Sequence, residues 1–164
     1  NAKVNFKKDE NSKNEKIATL DIKKIIYTNE GQTIITMEPF YLITPSILTN
    51  KFSKSEKKYW SCIVYDKKQK IGRIDDKGDK RNNNYRAVSS SYYFGTSESE
   101  ELVFGYITTG SLVKSYGTDA TMKKMGEEAF VDCPAINEAI KKESFQLKNA
   151  LEQITALFDS TECK

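Results

Sequence analysis

No histidine occurs among the 164 residues of this chain, and that absence removes whole classes of reaction at once. Serine–histidine and cysteine–histidine nucleophile pairs, histidine general bases and nearly all catalytic zinc sites need an imidazole. Carboxylate, lysine, tyrosine and thiol chemistry remain. There is no glycine-rich phosphate loop and no cysteine pair at metal spacing, so neither a cofactor nor a metal is expected. A non-catalytic role is favoured over an enzyme.

Three groups of polar or aromatic side chains merit weighing. Asp75 and Asp76, with Lys77, Gly78, Asp79 and the asparagines at 82–84, form an oxygen-rich loop. Its spacing is not that of a calcium loop, and Lys77, Lys80 and Arg81 would oppose a cation, which favours a solvated hairpin end. The aromatics Trp60, Tyr65, Tyr92, Tyr93 and Tyr106 all fall on predicted strands. Amphipathic rings in that number can line a ligand pocket or a partner-binding face, although aromatics are also simply good strand formers. Glu143 is the third: a carboxylate inside an apolar helical stripe, which needs a cationic or hydrogen-bonding partner unless the helix breaks there or ends at a rim. A small hydrolase would have to use Glu143, or Asp75 with Asp76.

The element that carries Glu143 is the most clearly patterned part of the chain. Residues 134–158 read as one amphipathic helix. Stepping 100° per residue from Leu147, the residues Ile136, Ile140, Leu151, Ile154 and Phe158 fall within about 40° of it. Proline at 134 suits a first helical turn. Ahead of it, Thr118 or Asp119 caps a shorter helix that Gly126 is expected to stop.

Everything earlier reads as strands and turns. Residues 1–16 are a polar lead-in or tether, and residues 17–164 are expected to form a single domain. Residues 17–38 read as a hairpin turning at 29–32. The apolar residues between Pro39 and Pro45 are not expected to form a central strand across either proline. A second hairpin is predicted over 59–74, with Gly72 at a bulge. Further strands lie at 85–95 and 102–110, on either side of the acidic loop 97–101. The predicted fold is therefore α+β: an antiparallel β-meander of five to seven strands, curled or barrel-like, packed against a long C-terminal helix.

The cysteines are Cys62, Cys133 and Cys163. A continuous helix over 134–158 would be about 37 Å long, whereas disulfide Cα atoms lie within about 7 Å of each other. Cys133 and Cys163 therefore cannot join unless that helix breaks; Cys62 with either of them is one alternative, and three unpaired thiols in a reducing cytosol is the other. A disulfide would suit an oxidising compartment. Asn1 and Ala2 look like the remnant of a cleaved tag, with a leader expected upstream through which the chain could be tethered to a membrane.

The 26 basic and 23 acidic residues are interspersed and leave a net charge of only +3, too little to steer a nucleic acid. No apolar run is long enough for a transmembrane segment. The function expected from the sequence is an extracytoplasmic, secreted or lipoprotein-type binding module for a small ligand or a protein. An inhibitor or immunity-type protein, contacting its target through the 97–101 loop, is the alternative.

Overall fold

The computed structural model describes residues 3–6, for their backbone alone, and residues 11–18, 21–46, 51–76, 89–109 and 117–163. Within the segment expected to be a lead-in, strand β1 (Lys3–Phe6) pairs antiparallel with β2 (Glu15–Ala18) as a two-stranded sheet of its own. The main sheet begins with β3 (Ile25–Asn29) and β4 (Gln32–Pro45). Glu30 and Gly31 connect them at φ 50° and 79°, the pair of left-handed conformations whose twist matches a two-residue hairpin. The predicted turn is therefore in place.

β4 runs straight through Pro39, contrary to expectation, because it changes partners along its length. It pairs with β3 up to Met37, with β6 (Tyr59–Asp66) from Met37 to Phe40, and with β9 (Glu101–Ile107) from Tyr41 to Ile43. Pro39 lies between the end of the β3 ladder and the start of the β9 ladder, an interval where a residue without an N–H is tolerated. The short β5 (Phe52–Lys54) pairs with the end of β4, where Pro45 sits.

β7 (Gln69–Asp76) and β8 (Ser89–Thr96) complete a seven-stranded sheet in the order β3-β4-β6-β7-β8-β9, with β5 on β4. All neighbours are antiparallel except β9 with β4, so the path of pairings from β4 through β6, β7, β8 and β9 returns to β4. Three bulges adjust it. The extra residues are Ile34 on β4, Val64 on β6 opposite Ile71 and Gly72, and Gly105 on β9. The bulge expected at Gly72 is thus on the facing strand. Gly72 itself is needed for close approach, since a Cβ there would come within 2.7 Å of Leu102.

Gly105 has the larger effect. Strict alternation would put Phe104 and Tyr106 on one face; the inserted residue sends them to different cores. Phe40, Leu42, Tyr93, Leu102 and Phe104 pack together with Ile63, Ile74 and Ile107, so five strands contribute to one cluster. Tyr106, Phe94, Val103 and Ile71 face the other way and pack under the helices.

Among the described residues three helices cover that second face, making the chain α+β. α1 (Thr118–Ala129) lies on β9 and the adjoining part of β8, α2 (Pro134–Lys142) packs on α1, and α3 (Ala150–Ser160) packs on α2. α1 does not stop at Gly126. That residue lies within the helix, facing Ile140 of α2, whose side-chain atoms a Cβ there would meet at 3.0 Å. Nor does a side chain cap α1: Gly117 is its N-cap, and Asp119 is used elsewhere.

The predicted helix over 134–158 is two helices. Residues 143–149 leave helical geometry, and the reason lies outside the segment. Asp119 Oδ1 accepts the N–H of buried Phe145 at 2.9 Å, and Gln153 Oε1 accepts the N–H of Gln146 at 3.1 Å. Gln153 Nε2 also donates to the carbonyl of Ser144 and to Glu143 Oε1, each at 3.0 Å. The backbone groups freed by the break are in this way satisfied by side chains. With the helix broken, α2 and α3 fold back on each other and Cys133 joins Cys163 with Cα atoms 5.3 Å apart. The alternative pairing through Cys62 does not occur, and Cys62 is a free, half-buried thiol.

Candidate functional site

In an antiparallel ladder, residues directly opposite each other share a face. The register therefore lines up Ile25, Met37, Cys62, Arg73, Tyr92 and Tyr106 as one row across six strands. Tyr106, at the covered end, is 3% exposed beneath the helices, whereas Met37, Cys62, Arg73 and Tyr92 are half-buried. Tyr92 stacks on Tyr106 with ring centroids 4.6 Å apart and planes 9° from parallel. Burial, and then the neighbouring Tyr92, push the Tyr106 phenol far up. Arg73 Nε lies 3.0 Å from Asp75 Oδ1 without its N–H aligned on that oxygen, so the pair is ionic more than a directed hydrogen bond.

The other expected site residues lie elsewhere. Tyr93 points to the opposite face, edge-on to Phe104 at 5.7 Å, and burial pushes its phenol up to about 12. Trp60 is half-buried opposite Pro39. Tyr65 is tied to α3: its hydroxyl donates to Asp159 Oδ1 at 2.7 Å and its ring is 5.8 Å from that of Phe158. Burial, reinforced by Asp159, takes the Tyr65 phenol up to about 12.

Glu143 marks the end of α2, where its carboxylate accepts the N–H of Ser144 and the side-chain amide of Gln153. This is the helix break foreseen as one explanation of its position. Of the six candidates, only Tyr92 and Tyr106 are in direct register contact.

The oxygen-rich loop lies outside the described residues beyond Asp76. In the acidic loop, Glu101 Oε1 is 2.5 Å from Lys54 and Glu100 is 3.2 Å from Lys58, so two of its three carboxylates are held by neighbouring lysines. A second ionic group went unnoticed in the sequence. Glu38 receives Lys70 at 2.5 Å and Lys24 at 3.0 Å, and Asp66 lies 3.5 Å from Lys70. Burial alone would raise the Glu38 carboxyl, but the two lysines more than reverse it and hold it below the ordinary range. Lys70 is on the same strand face as Gly72 and Ile74, and a cation at an inward position of an alternating strand was the available signal.

The feature least expected from the sequence is at the sheet's other end. β6 joins β4 only at Met37, so the stretch of β4 before it pairs with β3 alone, among the described residues. The result is a two-stranded arm with apolar side chains in water: Ile26 at 53%, Tyr27 at 51%, Ile34 at 61% and Ile35 at 40% exposure. Tyr27 faces Ile35 across the arm, and Ile26 faces Thr36 on its other side.

No helix among the described residues is long and apolar enough to cross a membrane. Comparison with protein-family models, with curated proteins and with solved structures finds no match to this chain.

Proposed function

We propose that this chain is a non-catalytic binding module of an extracytoplasmic compartment, engaging a protein partner through the β3–β4 arm. The observation that carries the reading is the exposure of Ile26, Tyr27, Ile34 and Ile35 on one narrow ribbon. Isolated exposed apolar residues are ordinary, but adjoining large ones, such as Tyr27 opposite Ile35, on a two-stranded element are characteristic of an interaction surface. The cyclic pairing of β4, β6, β7, β8 and β9 is read as a barrel-like curl that holds the base of the arm rigid. The Cys133–Cys163 bond supports an oxidising location. The expected aromatic residues fit this reading as scaffold, since Tyr92 and Tyr106 stack on each other and Tyr93 lies in the core.

A photo-crosslinking amino acid placed at Tyr27, in the native host, tests the proposal. A discrete adduct is expected at position 27, lost with Ile34→Lys and absent from a control at Val131, which is 68% exposed on the helical side. Equal labelling at both positions, or none at 27, overturns the reading. The compartment is tested separately by trapping thiols in acid-quenched cells, where reduced Cys133 and Cys163 would rule out the location proposed.

A further inference from the structure

We infer that the partner of the arm is a second copy of this chain, joined edge to edge through β3 into a four-stranded antiparallel ribbon; this rests on the arm being a binding surface.

Among the described residues nothing pairs with the outer edge of β3 or with β4 before Met37 on its other side, and these two edges differ. Natural sheets guard exposed edges with charges, prolines or bulges. The β4 edge carries the extra residue Ile34, a bulge that interrupts a regular row of donors and acceptors. The β3 edge has none of these devices: Ile25, Ile26, Tyr27, Thr28 and Asn29 contain no charge and no proline, and the extra residue of this hairpin is not on their strand. Among the described residues it is the edge with neither a partner strand nor a guard.

Two identical antiparallel strands related by a twofold axis must have one residue facing its own copy. Centring on Tyr27 sets Ile26 against Thr28, Ile25 against Asn29 and Lys24 against Glu30, each contact occurring twice. Lys24, which already reaches Glu38 at 3.0 Å, and Glu30 are both exposed, so this register sets the basic end of the strand, shared with Glu38, against the acidic turn. Moving the centre to Ile26 puts Glu30 against Ile22, and moving it to Thr28 puts Glu30 against Ile26. Only the Tyr27 register of these three pairs the charges.

It also gives the exposed side chains a common use. Tyr27 is opposite Ile35 within the arm, so Ile35, Tyr27, the second Tyr27 and the second Ile35 form one unbroken apolar row across four strands. Cross-strand aromatic and β-branched pairs of this kind are the stabilising unit of a sheet. A ribbon contact is small compared with a standard interface, which puts the dimer on the order of micromolar affinity.

The test uses the full chain with Cys62→Ser, so that the added cysteine is the free thiol. Opposed residues in an antiparallel pair have Cα atoms about 4.5 to 5.5 Å apart, within disulfide reach. Tyr27→Cys is expected to form a covalent dimer under mild oxidation. Ile25→Cys and Asn29→Cys are each expected to form no disulfide-linked dimer alone and to cross-link when mixed. Glu30→Lys, which sets Lys24 against a lysine twice, is expected to weaken the dimer about tenfold in sedimentation experiments.

Cross-linking that ignores this register, or a chain monomeric at millimolar concentration, overturns the inference. If the chain is monomeric while Ile34 still governs capture of a different protein at position 27, this inference fails and the binding reading stands. If neither association is found, both fail.

Discussion

Replacing Cys163 with serine opens a covalent loop whose ends are 30 residues apart. In the chain-entropy account, a cross-link of that span removes enough freedom from the unfolded chain to stabilise the fold by about 3.5 kcal/mol. For a domain of this size that corresponds to a fall in melting temperature of roughly 7–14 °C. Urea unfolding of the oxidised protein, of the same protein with reductant, and of Cys163→Ser should show the last two agreeing and both well below the first. The m-value should rise on reduction, because an uncrosslinked unfolded chain exposes more surface. Thiol titration in denaturant should count one free thiol per oxidised chain, that of Cys62. Coincident midpoints with and without reductant would refute the reasoning at its root. Cys133 and Cys163 would then not be joined, and a continuous helix over 134–158 would again be admissible.

Other perturbations test the packing. Gly105→Ala places a Cβ 2.3 Å from the Phe94 ring and should cost about 2–3 kcal/mol in urea unfolding. Gly126→Ala meets only Ile140 side-chain atoms at 3.0 Å or more and gains helix propensity, so it should come out near neutral. Gln153→Ala removes three hydrogen bonds to residues 143–146 and should destabilise by about 1–2 kcal/mol, with faster amide exchange confined first to that stretch. The Tyr65 phenol is raised from 10.0 to about 12 in the fold. Its contribution is therefore complete below pH 10.0 and is lost as pH rises from there through about 12, because the unfolded chain ionises first. Ultraviolet titration of wild type against Tyr65→Phe isolates that phenol, and Asp159→Asn should lower its midpoint while leaving the part due to burial.

Much of the sheet was legible because its signals are local. Gly31 in a polar quartet marked the first turn, and alternation over 59–65 marked β6. The long helix failed for a specific reason. Seven residues, 143–149, make close to two helical turns, so an interruption of that length leaves the apolar stripe in phase and invisible to periodicity. What breaks the helix comes from Asp119, 26 residues earlier than Phe145. Gly126 and Pro39 mislead too: each is a stop signal at which the element continues, Gly126 facing Ile140 of α2 and Pro39 lying where β4 changes neighbours.

Among the candidate residues, alternation misplaces Tyr106 because the Gly105 bulge inverts it midway along β9, and the Val64 bulge does the same before Tyr65 on β6. The arm was hidden for the opposite reason. Alternation predicts a strand with one face to bury, and says nothing about whether anything is there to bury it against.

The bond between Cys133 and Cys163 also changes what a peptide cut would do. Gln146, Leu147, Lys148 and Asn149 are all exposed between the two linked helices, where a protease could reach them. Cleavage after Lys148 would leave both fragments covalently attached and each helix with its own neighbours. Such nicked chains would migrate intact on a non-reducing gel and separate only after reduction. The same stretch is accordingly the place to open new termini or to graft a peptide, since the continuity of the fold no longer depends on the backbone there.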